Sequence, residues 1–206
     1  MRAFIAIAIP AEIRGVIAKQ AALLSRQTRD IRWVPSENLH VTLAFLGEVP
    51  SQNADSIESG MEAAARKHGA FSIGFGGGGT FPRGGEPHLG VIDITGDLAA
   101  VRALQADITK EMRQLRMRVD DRPFSPHVTL ARIGRQATPS ARNAIAHRFG
   151  EFDLATQGVF TVDAIALMES DLVRTGAVYR QVLSVELGLD ASRRTQGRRF
   201  GFLRGG

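Results

Sequence analysis

The sequence predicts an α+β fold in which largely antiparallel sheets carry helices on one face. Runs with the two-residue period of strands alternate with runs at helical spacing, and several strand runs follow one another directly, which favours antiparallel pairing. A length of 206 residues allows one sizeable globular unit or two lobes sharing an interface. Either arrangement can bury a core.

The first elements are a strand and a helix. The apolar run "RAFIAIAI" predicts a strand over residues 2–9, and Pro10 then occupies the first turn of a helix over residues 10–25. Ile13, Ile17 and Leu24 lie on one face of that helix.

Strands and one helix continue the first half of the chain. A helix predicted over residues 53–68 is followed by Gly69, a typical C-terminal stop. A glycine-rich stretch over residues 74–85 separates the two strand runs that come after this helix. The predicted elements are strands at 31–34 and 39–47, a helix at 53–68, and strands at 71–75 and 89–94.

The second half opens with a long helix, for which Asp97 is the predicted N-cap and Leu115 the last apolar position. The later elements are a strand within 125–133, a helix near 139–148, and strands at 159–168 and 178–187. Each half contains strands, at least one helix and one copy of the pentapeptide His-Val-Thr-Leu-Ala. Because no longer repeat accompanies it, an ancient duplication is a hypothesis.

Composition favours a soluble globular protein in a reducing cytoplasm. Apolar residues make up 44% of the chain and charged residues 23%, and no run approaches the roughly 18 apolar residues of a membrane-spanning helix. The apolar start ends at Pro10 without a small-residue cleavage site, so we interpret it as a strand and not as a signal peptide. The absence of cysteine excludes disulfides, thiolate nucleophiles and cysteine-bound metals.

The formal charge of +5 resides in the C-terminal segment. Residues 193–206 hold five of the 26 basic residues and no acid, which leaves 21 basic and 21 acidic residues in residues 1–192. We predict one bilobal domain over 1–192 and a disordered Arg/Gly tail over 193–206. Such a tail could add sequence-independent attraction to RNA phosphates.

The pentapeptide occurs in "LHVTLAFLG" and in "SPHVTLARI", with its histidines 87 positions apart. Because side chains at i and i+2 of a strand share a face, His40 lies beside Thr42, and His127 beside Thr129. The alternate positions are predicted to be buried under helices: Val41, Leu43, Phe45, Val128 and Leu130. A single such histidine would more often be a hydrogen-bonded residue at the edge of a core; two identical settings favour a functional pair.

Two facing histidines could act as general base and general acid on opposite sides of one reacting centre, since an imidazole can be neutral or protonated near neutral pH. The threonine hydroxyls suit an oxyanion, such as the non-bridging oxygens of a phosphodiester. No serine or cysteine nucleophile with an orienting acid accompanies the histidines, which disfavours a hydrolytic triad. Two histidines without a neighbouring carboxylate are too few protein ligands for a catalytic zinc. We therefore predict no metal and no cofactor.

The blocks "ENLHVTLAFLGEV" and "RPFSPHVTLARI" resemble the paired His-x-Thr-x signatures of the two-histidine (2H) phosphoesterases, and most closely the RNA 2′,3′-cyclic phosphodiesterases formerly called 2′-5′ RNA ligases. The start "RAFIAIAIPAEIR" and the stretch "SDLVRTGAVY" extend the resemblance over nearly the whole chain. It implies two similar α+β lobes related by a pseudo-twofold axis, with both motifs lining a central cleft. It also implies metal-independent hydrolysis of a terminal 2′,3′-cyclic phosphate to a 2′-phosphate.

The resemblance also implies residue roles. His40 would be the proton donor to the departing 3′ oxygen, His127 the base that activates water, and Thr42 and Thr129 would hold phosphate oxygens. The position of Arg132 matches a family arginine that contacts the phosphate, but strand alternation places it opposite His127 unless the strand ends or bulges there.

Two aromatic residues are further candidates for the site. Tyr179 and Phe4 could stack on a base, although an apolar strand residue such as Phe4 is more often part of the core.

Other features carry weaker signals. The run "GFGGGG" at 74–79 satisfies a Gly-x-Gly-x-x-Gly pattern, but no helix follows directly, so we predict a flexible hairpin loop or a cleft rim and no nucleotide site. His68, His88 and His147 are predicted to lie at the surface.

We therefore predict a monomeric cytoplasmic phosphodiesterase that acts on RNA ends, tRNA halves or 2′,3′-cyclic nucleotides and needs no membrane. Two alternatives stay open: a non-catalytic RNA-binding module, and 2′-5′ RNA ligation as the biological role.

Overall fold

The structure is a computed structural model that describes residues 1–25, 30–154, 158–173 and 176–188. Nine strands in these ranges form one sheet in which every pairing is antiparallel, and helices cover it, so the predicted α+β class is confirmed. The predicted disordered tail, residues 193–206, lies outside the described residues. None of the described helices is long and apolar enough to cross a membrane.

The elements follow the predicted order. The strands are β1 (Arg2–Ala8), β2 (Ile31–Trp33), β3 (His40–Glu48), β4 (Phe71–Phe81), β5 (Leu89–Gly96), β6 (His127–Ile133), β7 (Val159–Val162), β8 (Ala164–Val173) and β9 (Gly176–Glu186). The α-helices are α1 (Ala11–Ser25), α2 (Ala54–Ala65), α3 (Leu98–Gln114) and α4 (Pro139–Gly150), and short 3-10 turns cover Ser36–Asn38 and Ser51–Asn53.

The predicted N-cap of α3 is confirmed. The Asp97 carboxylate accepts a hydrogen bond from the backbone N–H of Ala100 at 2.9 Å, which satisfies one of the free donors at the start of the helix. Thr138 caps α4 in the same way, accepting from the N–H of Ala141.

The sheet order is β7-β4-β5-β6-β3-β1-β8-β9, with β2 paired beside β6. We call β3, β1, β8 and β9 the first lobe, and β6, β5, β4 and β7 the second lobe. The motif strands β3 and β6 are neighbours at the centre, and each continues outward through its own lobe. Helices α2 and α3 pack on the first lobe, and α4 packs on the second.

The lobes do not coincide with the two halves of the chain. The last strands, β8 and β9, complete the first lobe beside β1, whereas β4 and β5 from the first half belong to the second lobe. The run predicted as one strand over 159–168 is accordingly two strands that meet at Asp163: β7 pairs with β4, and β8 pairs with β1. One apolar run thus crosses between lobes, a change that local periodicity does not reveal.

The prediction of a flexible loop at 74–79 is wrong. These residues lie inside β4, and the missing side chain at Gly78 lets the end of α4 pack directly on the sheet. A Cβ at Gly78 would lie 2.4 Å from the carbonyl oxygen of Phe149, and the backbone N–H of Gly78 donates to Phe152. On the adjacent strand, a Cβ at Gly90 would lie 2.1 Å from the Phe149 ring. Close packing therefore explains these glycines.

Candidate active site

The two motifs meet at the centre of the sheet. Val41 of β3 pairs with Val128 of β6, and both side chains are fully buried. An antiparallel register through this pair places His40 across from Thr129, and His127 across from Thr42, on the opposite face. All four of these polar side chains are partly exposed. The predicted grouping of the two His-x-Thr pairs into one site is therefore present.

Both motif strands bulge at the same position. In β3, consecutive residues of β1 pair with Ala44 and Thr42, so Leu43 is the extra residue. In β6, consecutive residues of β5 pair with Ala131 and Thr129, so Leu130 is extra. A bulge of this kind reverses the alternation of the side chains that follow it, in β3 as far as a second register shift at Leu46.

The bulges bring two more side chains onto the face of the histidines. Phe45 was predicted to be buried, which is wrong: it is 51% exposed, because the bulge at Leu43 reverses its direction. The bulge that the prediction required for Arg132 is present at Leu130, and Arg132 is exposed. Phe45 and Arg132 occupy the same place in the two motifs, five residues after the histidine, so this one position distinguishes the two lobes chemically.

Each histidine ring is held by the carbonyl two residues before it. Nδ1 of His40 lies 2.7 Å from the carbonyl oxygen of Asn38, and Nδ1 of His127 lies 2.7 Å from that of Ser125. A carbonyl can only accept, so Nδ1 carries the hydrogen in both rings and Nε2 is left to exchange a proton. Nε2 of His40 is 3.0 Å from Oγ1 of Thr42, whose hydroxyl donates to the neutral ring.

The rings of Phe4 and Tyr179 pack against His40 and form what we call the aromatic wall. The Phe4 ring lies 4.8 Å from the imidazole between centroids, and Tyr179 meets it edge-on at 5.3 Å. Phe4 is only 3% exposed, so its predicted role as a stacking platform for a base is wrong, and its core alternative holds. Tyr179 is partly exposed and stays a candidate. Phe45, 6.0 Å from Phe4, presents the more open ring.

Asn38 is a buried polar residue that connects this wall to the motif. Its side-chain amide donates to the carbonyl oxygen of Ala177 at 2.7 Å, while its own carbonyl accepts from His40. It therefore fixes the start of β9, which carries Tyr179, relative to the histidine. The prediction missed Asn38, although its position two residues before His40 matches that of Ser125 before His127.

A different set of residues surrounds His127, and the sequence prediction missed all of them. Phe81 stacks on the imidazole with centroids 5.4 Å apart, Asp93 is its cross-strand partner, and Asp93 also pairs with Arg83. These residues belong to β4, β5 and the loop between them, so only strand pairing brings them to the motif.

Burial lowers the pKa of both histidines below the ordinary value of 6.5. For His40, the bond to Asn38 opposes the shift, and the positive charges of His127 and Arg132 add to it. For His127, the bond to Ser125 and the Asp93 carboxylate oppose the shift, and Arg83 adds to it. The free site therefore favours neutral rings near pH 7.

The other histidines take no part in this site. His88 and His147 are exposed, as predicted. The surface prediction for His68 is wrong: its side chain is 12% exposed and bonds Asp107 across α2 and α3 at 2.9 Å. No group of three or more candidate metal-ligand side chains occurs within the described ranges.

Comparison with known proteins identifies related chains. The family model of the 2′-5′ RNA ligase superfamily matches residues 11–174. A Thermus thermophilus RNA 2′,3′-cyclic phosphodiesterase is 31% identical, with 87% of this chain and 86% of that protein covered. An Aeropyrum pernix protein of the same name is 29% identical, with 84% and 95% covered. A Geobacillus stearothermophilus protein of that name is 30% identical over 84% of this chain, which spans only 53% of that longer protein.

Solved structures share this fold. A Thermus thermophilus crystal structure superposes with a TM-score of 0.71 at 27% identity, covering 91% of this chain and 98% of that one. E. coli LigT in complex with 3′-AMP superposes with a TM-score of 0.69 over the same shares, at 23% identity, which shows a shared fold.

Proposed function

The chain belongs to the 2′-5′ RNA ligase superfamily, and on that basis we propose that it is an enzyme that hydrolyses the terminal 2′,3′-cyclic phosphate of RNA to a 2′-phosphate. The observation that carries this proposal is the pair of histidines on one sheet face, each with Nδ1 bound to a carbonyl, so that Nε2 is the nitrogen that can exchange a proton.

The reaction uses the two rings on opposite sides of the phosphorus. One Nε2 accepts a proton from water as the water oxygen attacks phosphorus, and the other Nε2 donates its proton to O3′ as the P–O3′ bond breaks. The phosphate then stays on O2′. Attack and departure occur on opposite sides, which suits two strands related by an approximate twofold axis at Val41 and Val128.

The non-bridging oxygens gain charge in the transition state. The Thr42 and Thr129 hydroxyls lie beside the histidines, and Arg132 lies on the same face beyond the bulge. We propose that these donors hold the phosphate oxygens, a contribution that a preorganised site makes without reorienting solvent.

The family resemblance assigns the donor role to His40 and the base role to His127. The charges around the free site favour the opposite distribution, because Arg132 and His127 disfavour a proton on His40, whereas Asp93 favours one on His127. We propose the family assignment for the substrate complex; a phosphate bound between the rings favours a proton on both histidines, so a modified substrate is needed to distinguish their roles.

A substrate with sulfur in place of O3′ separates the two roles, because a thiolate leaves without protonation. Under the family assignment, His40→Ala recovers activity on this substrate and His127→Ala does not. Recovery by His127→Ala alone would reverse the assignment.

The function itself is tested with a 2′,3′-cyclic nucleotide in EDTA, with the product identified by phosphorus NMR. We expect a 2′-phosphate from the wild type. His40→Ala and His127→Ala should each lose about 10²–10⁴ in kcat, the range for one general acid or base. His147→Ala, at an exposed helix position, is the control and should retain full activity. Full turnover by either site variant would remove the mechanism.

The name of the family includes RNA ligation, so ligation is the second candidate. In this reaction a 5′-hydroxyl takes the place of water: one Nε2 accepts its proton as O5′ attacks phosphorus, the other Nε2 donates a proton to O3′ as the P–O3′ bond breaks, and a 2′-5′ linkage remains. Supplying 2′-5′ joined and cleaved RNA in parallel and measuring both initial rates decides which direction the protein favours. We also predict a monomer, which sedimentation velocity tests.

A further inference from the structure

A groove lined by three arginines adjoins the proposed phosphate site. It has a volume of about 610 Å³ and is formed by the end of β6, the segment after it, and β2. Arg32, Arg132 and Arg135 line it, and all three are exposed. Asp30 is the one acidic residue in the lining, so the formal charge of the groove is positive.

Arg132 joins this groove to the catalytic pair. It lines the groove, and its charge is also one of the causes that lower the pKa of His40. The groove therefore shares Arg132 with the place proposed for the terminal phosphate, and Arg32 and Arg135 supply its other positive charges.

Arg32 and Arg132 are direct cross-strand partners. Partners of this kind have Cα atoms about 4.5–5.5 Å apart and point to the same face, and like charges in this position destabilise a sheet. Within the described ranges, no ion pair joins the guanidinium of Arg32, Arg132 or Arg135 to a carboxylate. A bound anion would relieve the repulsion.

The groove is held in place by a buried residue. Arg142 of α4, only 5% exposed, donates to the carbonyls of Gly134, Arg135 and Ala137 and pairs with Glu86. The backbone N–H of Gly134 also donates to the carbonyl of Asp30 at 2.7 Å, which ties the two sides of the groove together. The segment that carries Arg135 is thus preorganised, so binding there costs little ordering entropy.

We propose that this groove binds the internal phosphate that precedes the cyclic phosphate in a single-stranded RNA, with Arg32 and Arg135 as its ligands. This inference rests on the proposed function, and it makes an oligonucleotide end, rather than a mononucleotide, the preferred substrate. Guanidinium groups suit this role because they bind phosphate oxygens in pairs.

The test compares a 2′,3′-cyclic mononucleotide with a tetranucleotide that ends in the same cyclic phosphate. Arg32→Gln and Arg135→Gln should each lower kcat/KM for the tetranucleotide about fivefold to tenfold, mainly through KM, and leave the mononucleotide within about twofold of wild type. Arg66→Gln, which removes an exposed charge after the end of α2, is the matched control and should change neither value. Equal losses on both substrates, or none on the tetranucleotide, would overturn the proposal.

Binding is measured separately by fluorescence anisotropy with a tetranucleotide that ends in a 2′-phosphate. The slope of log K against log salt should fall by about 0.7 for each arginine lost, the value for one phosphate contact on a single strand. This readout needs no turnover. An inactive protein that binds with these slopes would therefore contradict the proposed function and support phosphate binding in the groove. An unchanged slope would contradict phosphate binding in the groove and leave the proposed function standing. Inorganic phosphate should compete with the tetranucleotide only weakly, and full competition at equal concentration would also contradict the assignment.

Discussion

At the scale of single residues, the proton-transfer chemistry depends on which nitrogen of each imidazole ring is held by a hydrogen bond to a carbonyl. The carbonyls of Asn38 and Ser125 fix Nδ1 of His40 and His127 as donors, and burial lowers both pKa values. The alternation of a strand predicted that each histidine would share a face with its threonine. It could not predict the neighbours from other strands, such as Phe81 and Asp93 beside His127, which differ between the two histidines.

The lowered pKa values predict the pH dependence of catalysis. Turnover requires one protonated and one neutral ring, a combination lost at low pH when both are protonated and at high pH when both are neutral. Because both pKa values lie below 6.5 in the free protein, the bell-shaped profile of kcat/KM should have its maximum below pH 6.5. The profile of kcat should lie at higher pH, since a bound phosphate anion favours the protonated rings.

Steady-state rates at constant ionic strength between about pH 4.5 and 8.5 check this expectation. The His147→Ala variant should give the wild-type profile. A flat profile, or a maximum of kcat/KM above pH 7, would contradict acid–base action by this pair.

Phe45 provides a second prediction at this scale. Its half-exposed ring stands beside the histidine face, where a nucleobase can stack. Base stacking on an aromatic residue contributes about 1–3 kcal/mol, so Phe45→Ala should raise KM between about fivefold and 150-fold with a small change in kcat. Phe45→Trp should retain a low KM. Leu23→Ala, at an exposed apolar position on α1, is the control, and an unchanged KM in Phe45→Ala would exclude stacking there.

At the scale of elements, the bulges at Leu43 and Leu130 decide what the motif strands present. Each follows the His-x-Thr sequence and returns the fifth residue to the histidine face, so that one motif presents Phe45 and the other Arg132. Their position depends on the register with β1 and β5, which a motif cannot specify alone. The strand order therefore sets the asymmetry between an apolar and a cationic side of the cleft.

The contact between α4 and the sheet gives a prediction on stability. Gly90→Ala would place a methyl group 2.1 Å from the Phe149 ring, and such overpacking typically costs about 1–3 kcal/mol. Gly15→Ala is the matched control: nothing lies within 4 Å of its added Cβ, and alanine in a helix is about 0.5–1 kcal/mol better than glycine. Urea denaturation should thus show the two substitutions moving the free energy of unfolding in opposite directions. If Gly90→Ala left the free energy of unfolding unchanged, the Phe149 ring would have to be able to move aside.

At the scale of the whole molecule, the chain interleaves its lobes. Strands β8 and β9 return to complete the sheet begun by β1 and β3, so neither half of the sequence contains a complete lobe. The buried side chains of Ile165 and Leu167 belong to this late addition. We therefore expect the fold to unfold as one cooperative unit, despite its duplicated motif.

A fragment of residues 1–120 tests this interleaving. It contains α1 to α3 and β1 to β5 but lacks α4 and β6 to β9, so β1, β3, β4 and β5 would each lose a neighbouring strand. We expect no cooperative thermal transition by circular dichroism and poor dispersion in NMR spectra, whereas the full chain should show both. A folded fragment would mean that the halves are independent domains.

The sequence by itself determined the α+β class, the order of the elements, the N-cap at Asp97 and the two His-x-Thr pairs, because these depend on spacing between near neighbours. Only the tertiary structure decided that Gly78 of β4 packs under the end of α4, that Phe4 is buried while Phe45 is exposed, and that Arg132 lies on the histidine face. The reason is physical. Local alternation sets the direction of a side chain only until a bulge reverses it. The positions of the bulges, the composition of the lobes and the neighbours of each side chain are fixed by pairing between strands that are distant in the sequence.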